Sequence, residues 1–134
     1  MREIRFRGID TMTGQWRFGD LVHNMKVTLT GVEPRVMVGG YEVKPETVGQ
    51  FTGFRDMEGT DIYEGDIVEY QGCWRGKNYP RYTVDYNSTI GTFVVNRGRL
   101  IDNLYPKDLC FNHCVVGNIH QNPELLDENE EDSP

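Results

Sequence analysis

Apolar and polar residues alternate along much of this chain, which is the pattern of β-strands that bury one face. Residues 3–9 alternate in this way, and Trp16 and Phe18 alternate with polar neighbours shortly afterwards. The stretch between them, residues 10–14, contains the Asp and Gly that favour a tight turn. The sequence therefore predicts that the chain opens with a β-hairpin.

The same alternation predicts further short strands along the chain. Residues 25–30 are predicted to form one strand with Met25, Val27 and Leu29 on one face, and residues 31–34 are predicted to interrupt the chain before another. Short strands separated by frequent turns are typical of a small barrel or sandwich. The remaining predicted strands lie near residues 36–38, 48–52, 67–70, 82–86, 92–95 and 115–119, and a short helix is predicted from residue 123.

The composition supports a mainly β protein. There is no alanine and only 7 leucines, against 13 valines, 7 isoleucines and 10 threonines. β-branched residues favour strands, whereas a helical bundle without alanine would oppose helix propensity throughout. No apolar run approaches the roughly 20 residues that span a membrane, and charges interrupt the first residues where a signal peptide would be apolar. We therefore expect no membrane association and no export.

The net charge of −7 is concentrated at one end. Residues 124–134 hold six of the 21 acidic residues and none of the 14 basic ones, which leaves 15 acids against 14 bases in the rest of the chain. Blocks of like charge are usually disordered, so a short or disordered acidic tail is predicted there. A uniformly basic nucleic-acid-binding protein is excluded, although a local basic patch is not.

Residues 1–21, 46–70 and 114–126 form three patterned stretches in a set order and spacing. Together they resemble the YopX family, a group of small proteins encoded by phages and prophages of bacteria. Some positions depart from the family pattern: Phe51 and Phe54 stand where Tyr and Leu are more usual, and Glu58 stands where Asn often precedes the turn glycine. The three stretches are residues 1–21, MREIRFRGIDTMTGQWRFGDL, residues 46–70, ETVGQFTGFRDMEGTDIYEGDIVEY, and residues 114–126, CVVGNIHQNPELL.

The resemblance implies a mainly β fold with an SH3-like barrel in the C-terminal half. We therefore expect an N-terminal β region over residues 1–50, an SH3-like β-barrel over 51–123 and the acidic tail over 124–134. The resemblance also implies a phage or prophage gene, and hence the cytoplasm of a bacterial host cell. It supplies no mechanism, no cofactor and no functional residues.

One segment, residues 73–82, combines basic and aromatic side chains and contains no acidic residue. Two interpretations stay open. Aromatic faces could stack on nucleic-acid bases while Arg and Lys follow the phosphates. Alternatively, the segment is a solvated connection between strands, with Trp74 and Tyr82 filling the barrel. The candidate partner or nucleic-acid contacts are Trp74, Arg75, Lys77, Tyr79, Arg81 and Tyr82.

The cysteines offer the chain's one metal-like spacing, Cys110-x-x-His113-Cys114, to which Cys73 could add a fourth ligand. Structural zinc sites usually show two close ligand pairs, and alternation on a strand would place His113 and Cys114 on opposite faces. We therefore favour reduced cysteines that pack as small core residues, and we predict no metal and no cofactor.

Catalytic motifs are not evident in the sequence. The acidic run over residues 56–66 does not match a calcium-binding loop, because Asp61 and Ile67 stand at the sixth and twelfth positions, where Gly and Glu are required. A carboxylate near residues 63–66 is predicted to accept backbone N–H groups instead. No motif links a nucleophile to a base and an orienting acid, so the chain is predicted not to be an enzyme.

These observations predict a non-enzymatic protein that binds a macromolecule. The leading interpretation is a protein-interaction module that binds a host or phage protein through exposed strand edges or the aromatic segment. Exposed strand edges invite pairing, so a homo-oligomer is also expected to be accessible. Two alternatives stay open: a weak nucleic-acid-binding protein that uses residues 74–82, and an acidic nucleic-acid mimic that acts on a host protein through its tail.

Overall fold

A computed structural model describes residues 3–71, 81–97, 100–101, 110 and 112–126. This part of the chain is mainly β, with a 3₁₀ helix at Pro45–Thr47 and one helical turn at residues 124–126, where the sequence predicts a short helix. It contains no helix long and apolar enough to cross a membrane. The strands are β1 Phe6–Ile9, β2 Trp16–Gly19, β3 Leu21–Thr28, β4 Gly31–Val38, β5 Tyr41–Val43, β6 Gly49–Arg55, β7 Asp61–Tyr63, β8 Asp66–Tyr70, β9 Arg81–Asn87, β10 Thr92–Arg97, β11 Leu100–Ile101 and β12 His113–Asn118.

The chain divides into two compact units, Met1–Phe51 and Thr52–Pro134, with β6 running through the boundary. The described strands form three antiparallel sheets, and none of these is closed into a barrel. In the second unit, the five strands β8 to β12 form an open sheet in the order β11-β10-β9-β8-β12. The mainly β fold is thus confirmed, whereas the SH3-like barrel stays a prediction.

The first unit opens with the predicted hairpin, in which β1 and β2 pair from Phe6 to Ile9. Its turn forms as the sequence indicates, because Asp10 Oδ1 accepts hydrogen bonds from the backbone N–H groups of Met12 at 2.7 Å and Thr13 at 3.2 Å. These bonds, together with the Arg17 guanidinium, lower the pKa of the Asp10 carboxyl. The buried hydrophobic residues of this unit are Ile9, Val38, Val43 and Phe51.

Strands β3, β4 and β5 form the second sheet of this unit, and here the sequence prediction is partly wrong. Strand β3 begins at Leu21 rather than at residue 25, and Leu29 lies in the turn that follows it. The supposed interruption at residues 31–34 is the first half of β4. Gly31 and Pro34 signalled a break, but a proline is tolerated in a strand where its nitrogen faces an unpaired edge.

The second unit has its own core, formed by the buried side chains of Ile62, Val68, Val84 and Val95. The predicted strands around residues 67–70, 82–86 and 92–95 correspond to β8, β9 and β10. β9 and β10 are joined by the predicted turn, in which Asn87 Oδ1 accepts the N–H of Thr89 at 2.9 Å. The last strand, β12, pairs with β8 and continues to Asn118.

Candidate protein-interaction surface

Strands β3 and β4 form a two-stranded ribbon, the name used below for residues 21–38. The two strands pair without a register shift from Leu21 opposite Val38 to Thr28 opposite Gly31. The pairing covers eight residues on each strand, about 26 Å at the usual rise of a β-strand. The ribbon therefore has two faces, two long edges and an exposed tip at Leu29.

One face of the ribbon is apolar apart from His23, which lies opposite Val36. At its base, Val38 has no exposed surface and belongs to the core of the first unit. Exposure then rises towards the tip, from the half-buried Val36 to Val32, which is 61% exposed, and Val27, which is 86% exposed. The residues that extend this face beyond the core, called the apolar face below, are Met25, Val27, Val32, Pro34 and Val36.

A groove of about 430 Å³ lies against the ribbon, within the first unit. Its wall also includes Pro45, the first residue of the 3₁₀ helix. Its volume falls within the roughly 300–1,000 Å³ range of ligand pockets, so it could accept the side chains of a bound segment. It is lined by His23, Asn24, Met25, Pro34, Arg35, Val36 and Pro45.

The opposite face of the ribbon is polar. Lys26 Nζ lies 3.0 Å from both carboxylate oxygens of Glu42 on β5 and 3.6 Å from Glu33 on β4. The hydrogen bond that Lys26 donates to the Glu42 carboxylate is the main reason that the pKa of Lys26 is raised. Nearby, Arg35 Nε donates to Asn24 Oδ1 at 2.7 Å. The ribbon is thus amphipathic, with paired charges on one face and the uncovered apolar face on the other.

One long edge of the ribbon is open. Among the described strands, β3 pairs only with β4. The turn at residues 29–30 is two residues long, and such a turn is closed by a hydrogen-bonded pair, here Thr28 and Gly31. The N–H and C=O groups of Thr28, and of every second residue before it on β3, therefore point towards β4. The bond from Gly39 N to Asp20 O, 3.1 Å long, continues that alternation. The N–H and C=O groups of the intervening residues therefore face the open edge, and these residues are Leu21, His23, Met25 and Val27.

The far side of the sheet is closed to further strands. The outer edge of β5 is bonded to the end of β1, with Lys44 N donating to Ile9 O at 2.9 Å and Thr11 N donating to Glu42 O at 3.1 Å. Beyond β5, the exposed half of β4 contains Pro34, which has no N–H to offer at that edge. Among the described residues, β3 is therefore the edge of this sheet that offers a continuous row of backbone donors and acceptors.

Four of the six candidate contacts predicted from the sequence lie outside the described residues: Trp74, Arg75, Lys77 and Tyr79. The other two, Arg81 and Tyr82, are the first residues of β9. Arg81 Nε lies 2.8 Å from Glu69 Oε2, and Arg81 Nη1 donates to Leu125 O at 3.2 Å. Arg81 thus links β9 to β8 and to the C-terminal helical turn. Its charge is already neutralised by the Glu69 carboxylate.

Tyr82 packs against the core of the second unit. Its ring lies edge-on to the imidazole of His113, with 5.8 Å between the ring centroids. Tyr70 contacts the same imidazole in the same edge-on manner, at 5.4 Å. Of the two interpretations of the aromatic segment, this position of Tyr82 supports core packing for that residue.

The cysteine and histidine residues behave as a strand alternation predicts. His113 is buried, and its Nδ1 lies 2.6 Å from Asn112 Oδ1. Burial lowers the pKa of the His113 imidazole. Cys114 is half-buried, and burial together with the Glu58 carboxylate, 3.4 Å from Sγ, raises the pKa of its thiol to about 11. Cys110 is half-buried, and Cys73 lies outside the described residues.

Within the described ranges, no three His, Cys, Asp or Glu side chains are grouped so that they could hold a metal ion. The acidic run instead supports the backbone. Asp56 Oδ1 accepts the N–H groups of Glu58 and Thr60, both at 2.9 Å, and Asp56 Oδ2 accepts that of Val115 at 2.8 Å. Asp66 Oδ2 accepts the N–H of Tyr63 at 2.7 Å, as the sequence predicts for a carboxylate in this stretch.

The sequence interpretation missed the ribbon as a surface. Its signal was present, because apolar residues at 25 and 27 on one strand stand opposite proline and valine at 34 and 32 on the next. Residues 31–34 were instead assigned to a break, so the two halves of the apolar face were never placed side by side. A two-residue turn at residues 29–30 would have aligned them.

Fold and surface together define a small, mainly β protein whose amphipathic ribbon carries an exposed apolar face. The chain belongs to the YopX family: the family model, described as YopX protein, matches residues 5–127. No curated protein matches the chain.

Among solved structures, the chain is similar to the crystal structure of protein EF1440 from Enterococcus faecalis. The sequence identity is 22%, and the match covers 94% of this chain and 99% of that one, with a TM-score of 0.61. At this identity the likeness shows the fold alone.

Proposed function

We propose that this chain is a non-enzymatic accessory protein of a phage or prophage that binds a protein partner through the apolar face of its ribbon. It would act in the cytoplasm of the bacterial host, where phage proteins meet host proteins. A C-terminal SH3-like barrel is part of the same proposal.

One observation carries the proposal: the apolar face extends well beyond the core to which its base belongs. Val27 is 86% exposed and Val32, directly opposite, is 61% exposed. Single exposed apolar residues are ordinary on protein surfaces, but contiguous apolar patches with a polar surround mark interaction sites. A protein partner is the occupant that fits, because covering these side chains removes apolar area from water at about 25 cal/mol per Å².

The charges around the ribbon favour a protein over a nucleic acid. Lys26 is engaged by two carboxylates, and its face lies opposite the apolar one. Arg81, from the basic aromatic segment, is paired with Glu69. Nucleic-acid binding depends mainly on cations that are free to neutralise phosphates. Binding through residues 74–82 and mimicry through the acidic tail stay predictions, since those residues lie mostly outside the described part.

The test is affinity capture of tagged full-length protein from nuclease-treated host lysate, read by quantitative mass spectrometry. Val32→Glu places a charge on the apolar face, whereas Val22→Glu places the same charge on an exposed valine of the polar face. The proposal expects wild type and Val22→Glu to recover the same protein, and Val32→Glu to recover at least ~10-fold less, since burying an unpaired charge costs well over 1.4 kcal/mol.

Two outcomes would overturn the proposal. Equal recovery with Val32→Glu would show that the apolar face is not the binding surface. Recovery only without nuclease, falling steeply as salt is raised, would favour the nucleic-acid alternative.

A further inference from the structure

The open edge of β3 lacks the devices that usually prevent strand pairing. Natural edge strands are protected by proline, bulges, or charged side chains that face the edge. Strand β3 contains no proline, and its register with β4 is unbroken over all eight residues. Its one formally charged residue, Lys26, is bound across the ribbon to Glu42 on β5, so its ammonium is directed away from the open edge.

The two edges of this sheet therefore differ. Proline and the end of β1 prevent pairing on the far side, while β3 offers a row of backbone donors and acceptors from Leu21 to Val27. From this asymmetry we infer that β3 pairs with β3 of a second copy of this chain, antiparallel and two-fold symmetric, with Met25 at the axis. The inference goes beyond the proposed function, since it concerns the backbone edge of β3, whereas the proposed function concerns the side chains of the apolar face.

The alternation of β3 selects this arrangement. Met25, His23 and Val27 direct their backbone groups to the open edge, so hydrogen bonds form when these residues oppose one another. With Met25 opposite Met25 of the partner subunit, each His23 lies opposite a Val27. Side chains of directly opposed residues share one face of a sheet, so the apolar faces of both copies join, with the two His23 side chains lying within the merged face.

Charge restricts the register further. Centring the pair on Met25 places Lys26 opposite the neutral Asn24, and no like charges meet. If the two-fold axis lay at Lys26 instead of Met25, the two Lys26 ammonium groups would lie directly opposite each other, which is destabilising. A shift that pairs odd with even positions would place the apolar face of one copy beside the polar face of the other.

The dimer is expected to be weak. Only eight residues of β3 are available on each side, whereas stable interfaces use about 20–30 residues a side. Transient complexes occupy the range below that size, so we expect dissociation constants in the micromolar range or weaker. The merged apolar face would be twice as wide as that of a single ribbon.

Sedimentation equilibrium of the purified full-length chain, from about 10 µM to 1 mM, tests the inference. Met25→Pro removes the N–H that faces the open edge and should raise the dissociation constant at least ~10-fold. Val32→Pro is the matched control, because the N–H of Val32 faces the opposite edge of the ribbon; it should dimerise like wild type. Should either proline disturb folding, Met25→Lys, with Val32→Lys as its control, tests the same point by placing two ammonium groups at the axis.

Cysteine crosslinking tests the register. A Met25→Cys pair at the axis has Cα atoms about 5.5 Å apart, whereas a Thr28→Cys pair is separated by roughly 20 Å along the strands. A short bifunctional thiol reagent should therefore link Met25→Cys and not Thr28→Cys, with peptides identified by mass spectrometry to exclude the native cysteines. The opposite pattern overturns the inferred register.

A wild-type chain that is monomeric at 1 mM overturns the inference. So does a Met25→Pro variant that dimerises normally. Loss of a lysate partner with Met25→Pro, from a chain that stays monomeric, would show that the edge takes another protein's strand. The proposed function is tested separately by Val32→Glu in lysate, so either proposal can fail while the other stands.

Discussion

Lys26 reaches across β4 to Glu42 on β5, where both carboxylate oxygens lie 3.0 Å from its ammonium nitrogen. This contact has two effects on the ribbon. It completes the polar face, and it holds the charged group of β3 away from the open edge.

Replacing Glu42 by Gln should therefore release Lys26. The hydrogen bond that Lys26 donates to the Glu42 carboxylate is the main cause of the raised pKa of Lys26, so the pKa should fall towards the ordinary value of 10.5. Proton-coupled NMR of the lysine side chain measures this change. The freed ammonium can then protect the β3 edge, so self-association should weaken. Glu46→Gln, which changes an exposed acid on the 3₁₀ helix, is the control. An unchanged Lys26 pKa in Glu42→Gln would contradict the assignment of the raised pKa to Glu42.

Asp56 should be among the most sensitive acidic positions for stability. Its buried carboxylate accepts three backbone N–H groups, and Asp56→Ala leaves all three without their acceptor. Hydrogen bonds to charged groups contribute about 1.5–3 kcal/mol, so a loss of about 3 kcal/mol in the free energy of unfolding is expected. Urea denaturation measures it. Glu46→Ala, an exposed acid, should change stability by less than about 0.5 kcal/mol.

The buried imidazole of His113 should make the fold sensitive to mild acid. Burial lowers its pKa in the folded state below the unfolded value of 6.5, so unfolding takes up a proton in that interval. This contribution to stability is complete above pH 6.5 and is lost as the pH falls through the folded-state pKa. His113→Phe keeps an aromatic ring in contact with Tyr70 and Tyr82. It should reduce the slope of the unfolding free energy against pH by at most about 1.4 kcal/mol per pH unit, which corresponds to the uptake of one proton.

Urea denaturation at several pH values between 7 and 4.5 measures this slope. The exposed His23 supplies the control, since His23→Gln should keep the wild-type dependence. An equal slope in wild type and His113→Phe would assign the acid sensitivity to other groups.

Cys114 should react slowly with alkylating reagents. Its thiol pKa is raised from 9.0 to about 11, which leaves about 100-fold fewer thiolates at pH 8, and the thiolate is the reactive form. Glu58→Gln removes the nearby charge and should increase the rate several-fold, while burial, the larger cause, keeps the thiol less reactive than an exposed one. Iodoacetamide labelling followed by peptide mass spectrometry measures each cysteine separately. A Cys114 rate that is already high in the wild type would contradict the raised pKa.

The alternation of apolar and polar residues predicted most strands because a strand with one apolar and one polar face alternates in this way, whether or not the apolar face is covered. The turns at Asp10 and Asn87 were predictable for a local reason: each side chain bonds backbone groups two or three residues away. Asp56 differs, because one of its bonds is to Val115, 59 residues further along the chain. No local pattern indicates such a partner.

The ribbon shows why proline misled the prediction. A proline usually marks a break, yet Pro34 stands opposite Met25 in a continuous ladder. Its missing N–H costs nothing there, because the backbone of that residue faces away from β3. The edge to which the N–H and C=O groups of a residue point depends on the pairing register, and the register depends on which residues form the turn. That information arises only when both strands are aligned.

The placement of Pro34 has a consequence for how many copies can assemble. A strand that could pair on both edges would add copies without limit and form an open polymer. Among the described residues, β3 is the edge of the ribbon's sheet with a continuous row of backbone donors and acceptors, so pairing through β3 uses that edge in both copies. Pro34 thereby limits assembly through the ribbon to two copies and keeps this sheet from growing into a fibre.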